Sequence, residues 1–253
     1  LCLKEFSKNA DLIFKGYLIK ENLQNKNIIS KIYYFIPKRL KAIIWLIRRI
    51  KYSIPFLNAD KSLFKNAKSN ILFVDYLLNI DKNEMKKGNF RSSYWGDLTK
   101  ILKKNKIKSS WIHLPVNLGK NAKDISRGIN LINKYSNNYE SHITIDSFLS
   151  LNVILKTIFD WLELIKKGSS IKLSLIIPNI GFLNLWELYQ EEWDESIKGI
   201  TAISNCLDFN LFDSIFRNYN NDSKLVYLFE NQAWELSMIQ AWKNNKKSEI
   251  IGY

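Results

Sequence analysis

The chain has 253 residues, with 46% hydrophobic and 25% charged side chains, so it can bury a sizeable core and is not a disordered segment. Its 38 Lys and Arg against 24 Asp and Glu give a net charge of +14, which suits anionic partners: nucleic acid, acidic lipid or phosphorylated ligands. Charge alone does not choose among these, and an AT-rich coding sequence yields the same Lys, Asn and Ile bias without any partner. Two cysteines, Cys2 and Cys206, make neither a disulfide framework nor a metal cluster, and fit a reducing cytoplasm.

Residues 1–60 form a basic, helical segment. From Pro37 onward, Leu40, Ile43, Ile44, Ile47 and Ile50 recur at helical spacing, accompanied by Lys38, Arg39, Arg48, Arg49 and Lys51. The uncharged run is far shorter than the ~20 residues of a membrane span. A basic amphipathic helix of this kind lies in a membrane interface, or packs on its own domain with its long basic stems covering apolar surface. The five cations are the candidate membrane-surface residues.

From Asn70 to Tyr253 the rhythm changes to short apolar runs alternating with helical patterns. "NILFVDYLL" reads as a strand, "SSYWGDLTKILKKNKI" as a helix, and "KSSWIHLPV" as a second strand. A helix over Asp124–Tyr135 follows, then a strand in "SHITIDSFLS" with Asp146 near its end and a helix to Lys167. "IKLSLIIP" fits a strand or a buried helix; "FLNLWELYQEEWDESIKG" and "ITAISNCLDFNLFDSIFRNY" read as mostly helical. The strand of "KLVYLF", a helix from Trp234 through Lys243 and a last strand in "SEIIGY" complete the pattern. Such alternation predicts a Rossmann-like α/β domain over residues 70–253, a layered parallel sheet with flanking helices.

Ligands in open parallel sheets bind beyond the carboxyl ends of strands. Those ends carry Asp75, then His113 in "WIHLPV", and then Glu230, Asn231 and Gln232 before the helix of Trp234. Glu230 follows an apolar run and is a candidate general base if partly buried; the neighbouring amides suit hydroxyl-rich ligands. The plainer alternative is a helix cap completed by Glu235. "FRSSYWGDL" sets Tyr94 and Trp95 beside Asp97, either as a cap with inward aromatics or as a sugar-stacking face with a carboxylate. No GxGxxG, GxxxxGK[ST], GxSxG or HExxH occurs, no zinc-finger or RNA-binding signature is present, and two isolated histidines do not suggest a metal.

"FRSSYWGDL", "WIHLPV" and above all "YLFENQAWE…IQAWK…IIGY" resemble the surface-carbohydrate biosynthesis proteins of bacterial lipopolysaccharide and O-antigen clusters, relatives of two-domain GT-B glycosyltransferases. The resemblance implies a metal-independent transfer of sugar from a nucleotide sugar to a glycan or lipid-linked acceptor. It implies that this chain is the acceptor-side half, with the donor-binding half after Tyr253. It further implies a cytoplasmic protein, peripheral on the inner membrane face. The resemblance does not assign the roles; on the strand-end argument the catalytic candidates are Glu230 and Asp97, with Asp75 behind them. The substrate-binding candidates are Tyr94, Trp95, His113, Asn231, Gln232, Trp234 and Asp75, and no bound cofactor or nucleic acid is expected. A non-catalytic carbohydrate-binding or assembly protein with the same fold is the alternative.

Overall fold

A computed structural model describes residues 35–77, 80–116, 121–136, 139–172, 179–180, 183–246 and 248–253. The chain divides into two compact units, one of residues 35–46 with 160–203, the other of residues 47–159 with 204–253. A domain boundary expected between residues 60 and 70 therefore falls inside the second unit. Most of the expected N-terminal segment, residues 1–34, and the core of "IKLSLIIP", residues 173–178, lie outside the described residues.

The second unit is built on a five-stranded parallel sheet. Its strands are β1 (Ile71–Tyr76), β2 (Ser109–Leu114), β3 (Glu140–Thr144), β6 (Lys224–Tyr227) and β7 (Ile250–Gly252), in the order β3-β2-β1-β6-β7. The chain thus runs outward from β1 in one direction and later returns to continue on its other side. The reversal lies between β1 and β6, and such reversals are where open α/β sheets leave a crevice. The structure is a Rossmann-like α/β fold, as the alternating pattern predicts.

Both faces of the central strands are covered, so β1, β2 and β3 are buried almost throughout. Side chains alternate between the two faces. One face stacks Phe73 on Trp111 with ring centroids 4.2 Å apart, in a cluster with Phe90, Trp95, Leu102 and Ile132. Those residues come from the loop before α4 (Leu98–Lys104), from α4 itself and from α5 (Ala122–Tyr135), which follow the short α3 (Lys82–Lys86). Elsewhere in this unit, buried Leu211, Phe212, Ile215 and Phe216 of α8 (Ile200–Arg217) and Met238 and Trp242 of α9 (Ala233–Asn245) extend the core. Phe216 meets Trp242 edge to face at 4.9 Å.

Upstream of the sheet are α1 (Lys38–Ser53) and the short α2 (Lys61–Lys65). The first unit contains the start of α1, the end of α6 (Leu151–Ser170), a two-stranded antiparallel hairpin of β4 (Asn179–Ile180) with β5 (Leu183–Asn184), and α7 (Leu185–Lys198). Helices α6 and α7 approach closely at Gly168, where a Cβ would lie 2.7 Å from Ile197 Cγ2. Among the described residues no helix is long and apolar enough to cross a membrane.

Candidate functional site

Beyond the carboxyl ends of β1, β3 and β6 the fold gathers a polar cluster. Strand β3 ends at Thr144 and passes directly into a 3-10 turn, Ile145–Phe148, which holds Asp146 inside with 1% of its surface exposed. A carboxylate there needs a counter-charge, and α1 supplies it. Arg49 lies 2.9 Å from both carboxylate oxygens, and Ser53 Oγ donates to Oδ1. Burial raises the Asp146 pKa, while Arg49 and the Ser53 hydrogen bond oppose that rise. Arg49, an expected membrane contact, is therefore turned inward: Asp146 attracts it across a gap of 97 residues in sequence.

Asp208 enters the same cluster from α8. It is half-buried, and among the described residues no hydrogen-bond or ion-pair partner holds its carboxyl. Loss of solvation raises its pKa to about 7; Arg49 pulls the value down and Asp146 pushes it further up. Tyr76, the last residue of β1, closes the other side. Its hydroxyl accepts from the indole N–H of Trp234, whose ring stands edge-on to it at 5.5 Å. Desolvation raises the Tyr76 pKa, and the carboxylates of Glu230, Glu235 and Asp208 add to the rise. Asp208 thus stands within electrostatic reach of the ends of β1 and β3. Nothing local in "SNCLDFNL" marks it, because its surroundings come from remote elements.

The junction after β6 separates two roles that the sequence leaves open. Glu235 is buried, and its Oε1 accepts from the backbone N–H groups of Glu230 and Gln232, both at 2.9 Å. Glu235 is therefore the capping carboxylate, while Glu230 faces solvent. Asn231, at φ +59°, turns the chain between strand and helix. Exposed Asn231 and Gln232 line a cavity of ≈ 280 Å³, whereas Trp234 points to Tyr76. Replacing Glu235 by Ala is expected to cost about 1–2 kcal/mol of stability, because two backbone donors lose their acceptor. Glu230→Gln should change stability by less than about 0.5 kcal/mol. Denaturant midpoints measure both, and equal losses would contradict this division of roles.

Two other predicted sites are placed differently. Asp75 and His113 have no accessible surface. They are register partners on neighbouring strands, and their side chains share the face under Trp95 rather than projecting past the strand ends. Asp75 accepts from Trp95 Nε1 at 2.8 Å and from His113 Nδ1 at 2.6 Å. A carboxylate only accepts, so His113 carries its proton on Nδ1, and its Nε2 accepts from His142 Nδ1 at 2.9 Å. That leaves His142 Nε2 bare and 3.6 Å from Glu140 Oε2, in keeping with its lack of a hydrogen-bond partner. Burial lowers the His142 pKa and keeps the ring neutral. Glu140 is raised by desolvation, but the Lys103 ammonium, 2.7 Å away, holds it below the ordinary carboxylate range. The chain from Trp95 to Lys103 is internal bracing, so Asp75, His113 and Trp95 are corrected from ligand contacts to buried scaffold.

Asp97 lies on the surface. The Lys100 ammonium, 3.0 Å away, lowers its pKa, which makes it a poor proton acceptor at neutrality. Tyr94 is half-buried and packs against the aromatic cluster. Among the basic residues of α1, Lys38 donates to the carbonyl of Glu191 at 2.7 Å, while Arg39, Arg48 and Lys51 are exposed. Comparison with protein-family models, curated proteins and solved structures finds no match for this chain.

Proposed function

We propose that this chain is the acceptor-side half of a glycosyl-transferring enzyme of bacterial surface-polysaccharide synthesis, and that Asp208 is its proton acceptor. The observation that carries the reading is the half-buried carboxyl of Asp208, without a hydrogen-bond or ion-pair partner among the described residues, beside the sheet's point of reversal. An unpaired carboxyl in that place costs stability, and perturbed groups of this kind concentrate where chemistry occurs. The motif resemblance supplies the reaction class. The acceptor hydroxyl oxygen attacks the anomeric carbon of a nucleotide sugar, the bond to the nucleoside diphosphate breaks, and the hydroxyl proton passes to Asp208. A pKa near the working pH is what such a step needs. Release of nucleoside diphosphate from a panel of nucleotide sugars, dependent on an added glycan acceptor, tests the class in the protein containing this chain. Glycan binding without any such release would favour the non-catalytic alternative.

The exposed face of α1 supports docking on the anionic inner surface of the cell membrane. Leu40, Ile43 and Ile47, with Ile54 just beyond, repeat at helical spacing and stay exposed, Ile47 to 62%. Arg39 flanks the stripe on one side and Arg48 and Lys51 on the other, while Ala42, Leu46, Arg49 and Ser53 fall on the opposite, inward face. Each cation near an anionic surface contributes about 1 kcal/mol, so changing Arg39, Arg48 and Lys51 to Gln should weaken vesicle binding roughly a hundredfold. Co-sedimentation with phosphatidylglycerol-containing vesicles measures this, and unchanged binding would sink the idea. Arg49 is left out of that set because its loss would strand Asp146.

A further inference from the structure

The cavity beside the β6–α9 junction is chemically unlike the rest of this basic molecule. Its wall is formed by Tyr227, Phe229, Leu236 and Ile239, and its rim by the side-chain amides of Asn231 and Gln232. Phe229 remains 59% exposed and Leu236 73%, an unusual outlay of apolar surface at the end of a central strand. Phe229 is nevertheless held in place: its N–H donates to the Tyr253 carbonyl at 3.0 Å, and its ring meets Tyr227 edge-on at 6.2 Å. The Asn231 amide has no hydrogen-bond partner among the described residues, while the Gln232 side chain takes part in the capping box of α9 and its amide N–H makes one long contact, 3.5 Å, to the Glu230 carbonyl. Among the described residues no cation lines the cavity, and its one carboxylate, Glu235, is committed to the backbone of the cap.

We infer that this cavity is a subsite for a neutral pyranose ring. A sugar presents an apolar C–H face and a hydroxyl edge, matching an exposed aromatic side chain bordered by the exposed amides of Asn231 and Gln232. A charged ligand finds no counter-charge there. The cavity volume of ≈ 280 Å³ suits one ring better than an oligosaccharide. The inference deepens the transfer reading, on which it rests for taking the ring as part of the acceptor, and adds Phe229 and Leu236 to the residues that meet it.

The test is saturation-transfer NMR of the whole chain with a panel of neutral methyl hexopyranosides. One sugar or more should bind, with saturation strongest on the protons of one ring face. Phe229→Ser should weaken that binding at least tenfold, with the unfolding midpoint preserved because the side chain is largely exposed. Asp208→Asn should leave binding unchanged, so loss of turnover in that variant and loss of binding in Phe229→Ser report on the two readings separately. Absence of saturation for every sugar, or equal binding by Phe229→Ser, would overturn the subsite. So would a concentration-dependent dimer abolished by Phe229→Ser, which would assign the face to a second copy of the chain.

Discussion

Asp208→Asn is expected to make the protein more stable at pH 8 and to remove its transfer activity. Loss of solvation pushes the Asp208 pKa up to about 7 in the folded chain, from an ordinary value of 3.8. Between those values the folded state keeps a proton that the unfolded state has released. The stabilisation from protonated Asp208 is therefore fully present below about pH 4 and is lost as pH rises through about 7. A shift of this size corresponds to at most about 4 kcal/mol, and partial exposure reduces it to roughly 2. Neutral Asn resembles protonated Asp, so variant and wild type should nearly coincide at pH 3. The variant should be ahead by about 2 kcal/mol at pH 8. Urea unfolding at the two pH values measures the difference, from which other titrating groups cancel. Parallel stability curves would show that Asp208 does not carry the displaced proton.

The kinetic half of the same experiment bears on function. Wild-type kcat should rise with pH through about 7, because a base must be deprotonated to accept the hydroxyl proton. The Asn variant should lose that limb along with about 10²–10⁴ in kcat, with KM little altered. Retention of full kcat would remove Asp208 as base and return attention to Glu230. Gain of stability with loss of activity at one position is the pattern expected where a fold tolerates an unpaired charge for its chemistry.

The second large effect is expected inside the sheet. Asp75→Ala should destabilise the protein by about 3–5 kcal/mol, because it strands the Trp95 indole N–H and the His113 Nδ1–H in an enclosed space. Asp75→Asn should cost less, about 1–3 kcal/mol, since an amide keeps one acceptor oxygen but turns a second donor toward the pair. Guanidinium unfolding distinguishes these cases. A loss below about 1 kcal/mol in Asp75→Ala would mean that water or repacking replaces the carboxylate. The residues of this brace also explain why β2 and β3 tolerate Ser, His and Glu at positions with almost no solvent contact. Ser110 meets Ser141 and His113 meets His142 between the strands, Glu140 pairs with Lys103 of α4, and His142 is kept neutral by burial.

Much of this architecture was legible in the chain itself. The apolar runs of "ILFV" and "KLVY", each followed by a helical period, announce buried parallel strands, and the sheet contains both. "ENQAWE" carries the information for its own cap, because the donors and the acceptor lie within five residues. Local spacing suffices for such features: backbone hydrogen bonds and side-chain periodicity act over a few residues.

The location of the charges was not legible in the same way. Asp75 and His113 sit near strand ends, but whether a side chain passes the edge or turns under Trp95 depends on the alternation of faces and on what covers them. Helical spacing shows that α1 has two faces, yet not that the one bearing Arg49 and Ser53 turns inward; Asp146, 97 residues from Arg49, decides that. Asp208 lies in a helical stretch with no motif, and its proton affinity comes from desolvation and from remote charges. The sequence by itself determined most of the elements and their α/β class, and offered the cap at residues 230–235 as one of two roles, because those rest on neighbours along the chain. Only the tertiary structure decided which carboxylates are braces, which is paired and which is left without a partner among the described residues, because burial and counter-charge arrive from residues distant in sequence.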